Sequence, residues 1–182
     1  MVGYASRRES SLILETKVPA LNNGDAFPDI TLDIVGGGSV SLPADLAGSY
    51  AAVLIYRGSW CPYCNAQLAG FSRARNTLAE LGTKVVALSV DDEPTSAALA
   101  DKLRLEFPVG YGVDAEAIAQ ATGAYTNDDP KYLQTTGFVL DPSGRVVTAV
   151  YSSGGIGRLV ADDVAGFVRY LKSQEQVSSA AD

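Results

Sequence analysis

Residues 51–64 read AAVLIYRGSWCPYC, and this stretch decides the fold. The apolar run at residues 51–56 predicts a buried strand, and a helical pattern of apolar residues follows it. Cys61 and Cys64 are the only two cysteines of the chain. Two thiols with this spacing, at a turn from strand to helix, can close a disulfide and open it again. The pattern therefore indicates a redox dithiol rather than a structural cross-link.

Pro62 sets the geometry expected at the start of that helix. Proline favours the first helical position, so Cys61 is predicted as the N-cap and Cys64 as the third helical residue. An N-cap side chain accepts a backbone N–H from the first turn, and the helix dipole favours an anion there. Both effects predict a lowered pKa for Cys61, and the N-cap is also the more exposed position. Cys61 is therefore predicted as the nucleophile and Cys64 as the resolving thiol.

The order of elements along the chain predicts the fold class. A hairpin at residues 29–42 comes before a β-α-β unit at 51–90. Helices from Pro94 and after Asp114 follow, and then a strand pair at 137–150 and a last helix. This order predicts an α/β thioredoxin fold with three α/β/α layers, a mixed central sheet and an N-terminal hairpin extension. We divide the chain into an N-terminal extension at 1–23, the domain at 24–173 and a flexible tail at 174–182.

The amino-acid composition argues against several classes of function. The net charge of −7 argues against nucleic acid as a partner, and no apolar run approaches the roughly 20 residues of a membrane helix. Two cysteines and no apolar leader predict a reducing, cytoplasmic location. The chain has no histidine, which removes the commonest general base and most zinc sites, so no metal or cofactor is expected.

Two motifs carry a resemblance to a known family. Residues 56–64 and 137–145 resemble the peroxiredoxin-like branch of the alkyl hydroperoxide reductase/thiol-specific antioxidant superfamily, and Cys61–Cys64 matches the glutaredoxin tetrapeptide. The resemblance implies a thiol-dependent enzyme that reduces hydroperoxides or protein disulfides. It also implies a thiol reductant as partner, either a thioredoxin-like protein or a low-molecular-weight thiol. A homodimer stays open.

The resemblance assigns the attacking cysteine differently from the helix geometry. Peroxiredoxins carry a proline and a threonine seven and three residues before that cysteine. On this chain the pattern places the attack on Cys64, with Cys61 in the threonine position and Arg57 in the proline position. The family arginine near the later hairpin corresponds to Thr135 and Thr136 here. The identity of the attacking thiol therefore stays open.

Six residues besides the cysteines are candidates for contact with substrate. Arg57 either lowers a thiol pKa and holds a peroxide oxygen, or pairs with a carboxylate at the strand end. Trp60 either forms a docking surface or fills the core, and Tyr63 is expected to be exposed beside Pro62. Thr135 and Thr136 enter only through the resemblance. The glycine-rich residues 152–158 are interpreted as a plain loop.

Three functions compete. The leading hypothesis is an oxidoreductase that cycles a Cys61–Cys64 dithiol and disulfide, with disulfides or hydroperoxides as substrate. The alternative is a redox-sensing binding protein of thioredoxin fold with little turnover. A third is a metal or iron–sulfur site bridging a dimer, which two thiolates and no histidine support poorly.

Overall fold

A computed structural model describes residues 20–179 of the 182-residue chain. Most of the predicted N-terminal extension, including the apolar segment Leu12–Leu14, lies outside the described residues. The predicted hairpin is present, as strands β1 (Ile30–Asp33) and β2 (Ser39–Leu42). The other strands are β3 (Tyr50–Ile55), β4 (Thr83–Leu88), β5 (Val109–Gly110), β6 (Thr126–Asp128), β7 (Lys131–Leu133), β8 (Thr136–Leu140) and β9 (Val146–Tyr151).

Five α-helices accompany the strands in the described part of the chain. They are α1 (Pro62–Arg73), α2 (Arg75–Glu80), α3 (Glu93–Leu103), α4 (Ala115–Thr122) and α5 (Ala161–Ser179). Asp92 caps α3 and Asp114 caps α4, each through a side-chain oxygen that accepts a backbone N–H of the first turn. No helix of residues 20–179 has the length and apolar character needed to cross a membrane.

The central sheet has five strands in the order β5-β4-β3-β8-β9. Strand β3 pairs in parallel with β4, where Val53 lies opposite Val86, and antiparallel with β8, where Val53 lies opposite Phe138. All six residues of β3 are buried because both faces of the sheet are covered. Parallel pairing across a helix on one side and an antiparallel hairpin on the other confirm the predicted mixed sheet and thioredoxin fold.

Two apolar layers flank this sheet. One contains Leu54 of β3 with Leu68 of α1 and Val168 of α5. The other contains Ile55 of β3 with Ile118 of α4, and it extends to the N-terminal hairpin. The chain therefore forms three layers, and the carboxyl end of β3 opens directly into the segment that carries the cysteines.

Three features differ from the sequence-based expectation. The helix after the cysteines divides at Ala74 into α1 and α2. The small hairpin of β6 and β7 was not predicted. Helix α5 continues through residues 174–179, so the described part of the predicted flexible tail is helical. Glu175 accepts a hydrogen bond of 2.6 Å from the hydroxyl of Tyr50, which ties this last part to β3.

Candidate active site

The dithiol lies at the start of α1, in the geometry that the sequence predicts. Pro62 is the first helical residue, and Cys61 is the N-cap with extended backbone (φ −85°, ψ 110°). The Cys61 sulfur accepts the backbone N–H of Cys64 at 3.4 Å, and the two sulfurs are 2.7 Å apart. The cysteines are free thiols, and their sulfurs are close enough for a small adjustment to form the disulfide.

The loop before the helix is held by specific contacts. Asp91, which follows β4, accepts the backbone N–H of Ser59 at 2.7 Å, and Asn65 donates to the Ser59 carbonyl at 2.9 Å. Gly58 has φ 149°, and a Cβ at this position would lie 2.9 Å from Cδ1 of Trp60. A glycine is therefore required for the chain to turn beneath the indole ring and present Cys61 at the helix start.

Both thiols are buried, whereas the N-cap position was expected to be the more exposed. Cys61 and Cys64 each have an exposed fraction of 0%. The physical reason lies in chain segments far away in sequence. Thr135, just before β8, places its hydroxyl 3.9 Å from the Cys64 sulfur, and Leu159, just before α5, belongs to the same apolar cluster as both cysteines.

The two thiols differ in acidity. Burial raises the pKa of Cys61, but the hydrogen bonds from the Cys64 thiol and N–H, together with the charges of Arg158 and Arg57, outweigh it. The Cys61 pKa therefore lies below its ordinary value. Burial also raises the pKa of Cys64, and its hydrogen bond to Cys61 raises it further. The structure thus favours a thiolate at Cys61 and a protonated thiol at Cys64.

Arg57 flanks the thiols and does not pair with a carboxylate. Its guanidinium donates to the Tyr132 hydroxyl at 2.8 Å and lies 4.7 Å from the ring centre of Trp60. None of the ion pairs formed among residues 20–179 includes Arg57. The strand-end ion pair considered for Arg57 is therefore wrong, and the charge remains available to the Cys61 thiolate.

Arg158 is a second flanking arginine, and the sequence analysis missed it. One guanidinium nitrogen donates to the Gly155 carbonyl at 2.5 Å. The charge of Arg158 lowers the pKa of Cys61, and its side chain also favours the Cys64 thiolate. The segment 152–158, interpreted as a plain loop, therefore carries a residue of the site.

Strand register explains how Arg158 reaches the dithiol. Ile55 at the end of β3 pairs with Thr136, and Thr136 pairs with Tyr151 at the end of β9. The loops after β3 and β9 consequently leave the sheet at the same edge. The sequence shows an arginine in the loop after the last strand. Only the antiparallel register of the strands indicates that this loop lies beside the dithiol.

The other predicted site residues lie either at the surface or in the buried interior. The side chains of Trp60 and Tyr63 are 54% and 56% exposed, so the core-filling interpretation of Trp60 is wrong. The Trp60 ring meets the Tyr132 ring edge-on, with 5.1 Å between ring centres. Thr135 contacts Cys64, whereas the hydroxyl of buried Thr136 donates to the Gln134 carbonyl at 3.3 Å. Thr136 is thus not shown to touch the thiols.

Comparison with known proteins identifies the family. The model of the AhpC/TSA family matches residues 23–149. The chain belongs to this family. It is similar to a peroxiredoxin of Treponema denticola, 24% identical over 157 residues that cover 84% of this chain and 74% of that protein. A peroxiredoxin of Methanothermobacter thermautotrophicus is 26% identical over 147 residues, or 78% of this chain and 69% of that protein.

Solved structures agree with the fold. AhpC of Mycobacterium tuberculosis has a TM-score of 0.72 at 22% identity, covering 86% of this chain and 96% of that one. The peroxidoxin BcpB of the same organism has a TM-score of 0.70 at 20% identity, covering 82% of this chain and 97% of that one. Family membership confirms the predicted resemblance and shows that this AhpC/TSA protein is a thiol-dependent oxidoreductase with antioxidant function.

No group of three or more cysteine or acidic side chains suited to a metal ion lies together within residues 20–179. The two thiols have arginines beside them rather than further anionic ligands.

Proposed function

We propose that this protein reduces hydroperoxides, with Cys61 as the attacking thiol and Cys64 as the resolving thiol. The observation that carries the proposal is the environment of Cys61: its pKa is lowered while that of Cys64, 2.7 Å away, is raised. The attack needs a thiolate, and the resolving step needs a second thiol within bonding reach, which loses its proton as it attacks. Several relatives of the chain are named peroxiredoxins, which supports peroxide as the substrate class.

The reaction follows from these two protonation states. The Cys61 thiolate attacks the hydroxyl oxygen of the peroxide, the O–O bond breaks, and the departing alkoxide or hydroxide takes a proton from water to leave as alcohol or water. Cys61 becomes a sulfenic acid. The Cys64 sulfur then attacks the Cys61 sulfur, and the sulfenic oxygen leaves as water with the Cys64 proton. Arg57 and Arg158 supply positive charge where negative charge develops on the peroxide oxygens.

Burial of the dithiol favours a small substrate. Neither thiol has exposed surface, so a protein disulfide cannot reach a sulfur unless the surrounding segments open. A hydroperoxide is small enough to be admitted by a local fluctuation. Protein disulfide reduction is the second candidate, because exposed Trp60 and Tyr63 beside the helix start offer an apolar docking surface. Trp60, Tyr63 and Thr135 are proposed to contact the substrate in either case.

A side-by-side assay tests the proposal. Hydrogen peroxide, an organic hydroperoxide and insulin disulfide are each offered to the protein with dithiothreitol as reductant. We expect turnover with the peroxides, and little with insulin. Turnover with insulin alone would establish the second candidate, and consumption of about one equivalent of peroxide, with no further turnover in the presence of dithiothreitol, would support the redox-sensing alternative.

Two single variants assign the roles of the thiols. Cys61→Ser should abolish peroxide consumption. Cys64→Ser should react with one equivalent of peroxide and hold a sulfenic acid on Cys61, detected by mass spectrometry after trapping with dimedone. A trapped adduct on Cys64 in the Cys61→Ser variant, with none on Cys61 in the other, would reverse the assignment and support the alignment-based alternative.

The remaining parts of the proposal concern the surroundings of the enzyme. A dithiol that must be regenerated after every turnover requires a thiol reductant and a reducing compartment, for which we propose the cytoplasm. We also propose that residues 24–173 form the catalytic domain. Size measurement by light scattering at several protein concentrations tests the homodimer that the sequence leaves open.

A further inference from the structure

A cavity lies along an unpaired edge of strand β4, apart from the dithiol. Strand β5 has only two residues, Val109 and Gly110, and these pair with Ala87 and Leu88 at the end of β4. The first part of β4, residues 83–86, therefore has no neighbouring strand on this side within residues 20–179. The cavity has a volume of about 430 Å³, is lined by this part of β4 and contains no residue of the candidate active site. We call it the β4 slot.

Pro108 explains why the strand pairing stops where it does. In the parallel ladder, the Ala87 N–H donates to the Pro108 carbonyl at 3.0 Å. Two residues earlier, the matching bond would run from the N–H of residue 108 to the Val85 carbonyl, and proline has no N–H. Main-chain groups of alternate strand residues face the same side, so those of Val85 face the slot. Neither its N–H nor its carbonyl has a hydrogen-bond partner there within residues 20–179.

The walls of the β4 slot come from both apolar layers of the fold. Phe71 of α1 and Leu78 of α2 line it on one side of the sheet. Val40 of β2 and Leu46, shortly after β2, line it on the other side. The edge of β4 is recessed between these walls, and Val85 is only 8% exposed. A strand in the slot therefore meets apolar side chains on both of its faces, which favours a run of consecutive apolar residues.

A buried hydroxyl adds a polar group to the β4 slot. Thr83 is 7% exposed and lines the slot, and its hydroxyl has no hydrogen-bond partner within residues 20–179. A hydroxyl that is buried without a partner is unfavourable, whereas one that meets a hydrogen-bonding ligand is not. Together with the main-chain groups of Val85, Thr83 thus favours a ligand that carries both donors and acceptors along its length.

The charges at the rim of the slot leave Lys84 without an ionic partner. Arg75 pairs with Glu106 at 3.2 Å, and the Asp45 carboxylate accepts the Ser41 N–H at 2.7 Å. The Lys84 ammonium donates to the Asp45 carbonyl at 2.8 Å and takes part in no ion pair formed within residues 20–179. A carboxylate of the ligand, placed beside its apolar run, can therefore pair with Lys84.

We propose that the β4 slot binds an extended peptide segment of a partner protein, which adds to the sheet as a strand beside β4. The segment has about three consecutive apolar residues next to an acidic residue, and its main chain hydrogen-bonds to Val85. The complement of a free main-chain N–H and carbonyl is another main chain, so a peptide fits this edge better than an apolar small molecule. The walls on both sides exclude the sheet edge of a second folded domain. The inference does not depend on the proposed peroxidase function.

A labelled peptide tests strand addition directly. The probe is a fluorescein-labelled peptide of sequence Glu-Val-Ile-Val-Ser, and its binding is followed by fluorescence anisotropy. Two control peptides carry one N-methyl group each, on the Ile or on the following Val. Successive N–H groups of a strand face opposite sides, so we expect one methylated peptide to bind about tenfold more weakly and the other to bind like the parent. Equal affinity of all three peptides would overturn strand addition.

Hydrogen exchange locates the peptide on the strand. In the free protein, the amide of Val85 should exchange faster than the amide of Val86, which faces β3. The peptide should slow exchange at Val85 about tenfold or more and leave Val86 nearly unchanged. A peptide that binds without slowing exchange at Val85 would place the site elsewhere.

Ala79→Trp should block the slot, with Ala98→Trp as its matched control. Ala79 is an exposed residue of α2 that lines the slot, and Ala98 is an exposed residue of α3 that does not. We expect Ala79→Trp to weaken peptide binding about tenfold or more and Ala98→Trp to leave it unchanged, with both variants folded by circular dichroism. Lys84→Gln should weaken binding about two- to fivefold, and Lys102→Gln, at an exposed position of α3, should not.

Two results would contradict the proposal. Peptide binding that is equal in Ala79→Trp and in the unaltered protein would remove the ligand from the slot. Light scattering gives the second result: a dimer of the unaltered protein that Ala79→Trp abolishes would assign the slot to a second copy of the chain instead of a partner peptide.

Discussion

Replacing Gly137 with alanine should destabilise the protein through one contact. Gly137 lies in β8, between Leu54 of β3 and Val150 of β9, so its backbone is fixed by pairing on both sides. A Cβ at this position would lie 2.8 Å from both Cγ and Cδ1 of Leu159. Leu159 is buried, and its carbonyl accepts a hydrogen bond of 3.0 Å from Gln67. Its side chain therefore has to move within a filled core.

The size of the effect follows from two opposing terms. Overpacking in a filled core costs about 1–3 kcal/mol, and the reduced freedom of the unfolded chain on changing glycine to alanine returns about 0.5–1 kcal/mol. The central values of the two terms leave a net loss in free energy of unfolding of about 1 kcal/mol, which corresponds to a fall in Tm of roughly 2–4 °C for a domain of this size. The shift of Leu159 also moves its neighbour Arg158, so the pKa of Cys61 should rise toward its ordinary value.

Gly166→Ala is a control variant that should raise the stability of the protein rather than lower it. Gly166 is an exposed residue of α5, and a Cβ there would meet nothing within 4 Å. Alanine in the interior of a helix is about 0.5–1 kcal/mol more favourable than glycine, so Tm should rise. Both variants and the unaltered protein are compared by thermal unfolding followed by circular dichroism under one set of conditions. A Gly137→Ala protein with Tm equal to or above that of the unaltered protein would refute the packing argument.

Three further predictions concern the thiols, the second arginine and the end of the chain. Thiolate absorbance should show Cys61 in Cys64→Ser ionising below the ordinary cysteine pKa and Cys64 in Cys61→Ser above it. Because attack needs the thiolate, the peroxide rate should be full above the Cys61 pKa and fall as the pH decreases through it; two thiols with ordinary pKa values would contradict this. Arg158→Gln should raise the Cys61 pKa and slow peroxide attack about ten- to a hundredfold in stopped-flow measurements, and an unchanged rate would remove Arg158 from the site. Tyr50→Phe should cost about 1 kcal/mol and speed hydrogen exchange at residues 174–179, whereas unchanged exchange there would show that the bond to Glu175 does not hold the helix end.

Local rules were sufficient for the start of α1. Proline at the first helical position fixes which cysteine is the cap and which lies inside the turn, and both follow from four adjacent residues. The central strands could also be predicted from the sequence, because β3 and β4 are nearly continuous apolar runs, as is typical of parallel strands in a sheet that is covered on both faces. These predictions needed no knowledge of how distant segments meet.

The surroundings of the thiols depended on distant segments and could not be predicted in the same way. Arg158 follows Cys61 by nearly a hundred positions in the printed sequence, and only the pairing of β3, β8 and β9 brings their loops to one edge. The burial of the dithiol also involves distant segments, since Thr135 lies 3.9 Å from the Cys64 sulfur and Leu159 belongs to the same apolar cluster as both cysteines. The β6–β7 hairpin was missed because its strands have three residues each and show no alternating pattern long enough to read.

Trp60 gives the protein an intrinsic optical reporter of its chemistry. It is the only tryptophan of the chain, and it stands one residue before the attacking thiol proposed here. Arg57 lies over its ring while also facing the Cys61 thiolate, so loss of that negative charge on disulfide formation changes the field at the indole. Selective excitation of the indole therefore follows oxidation and reduction in real time, without a dye and without a coupled enzyme.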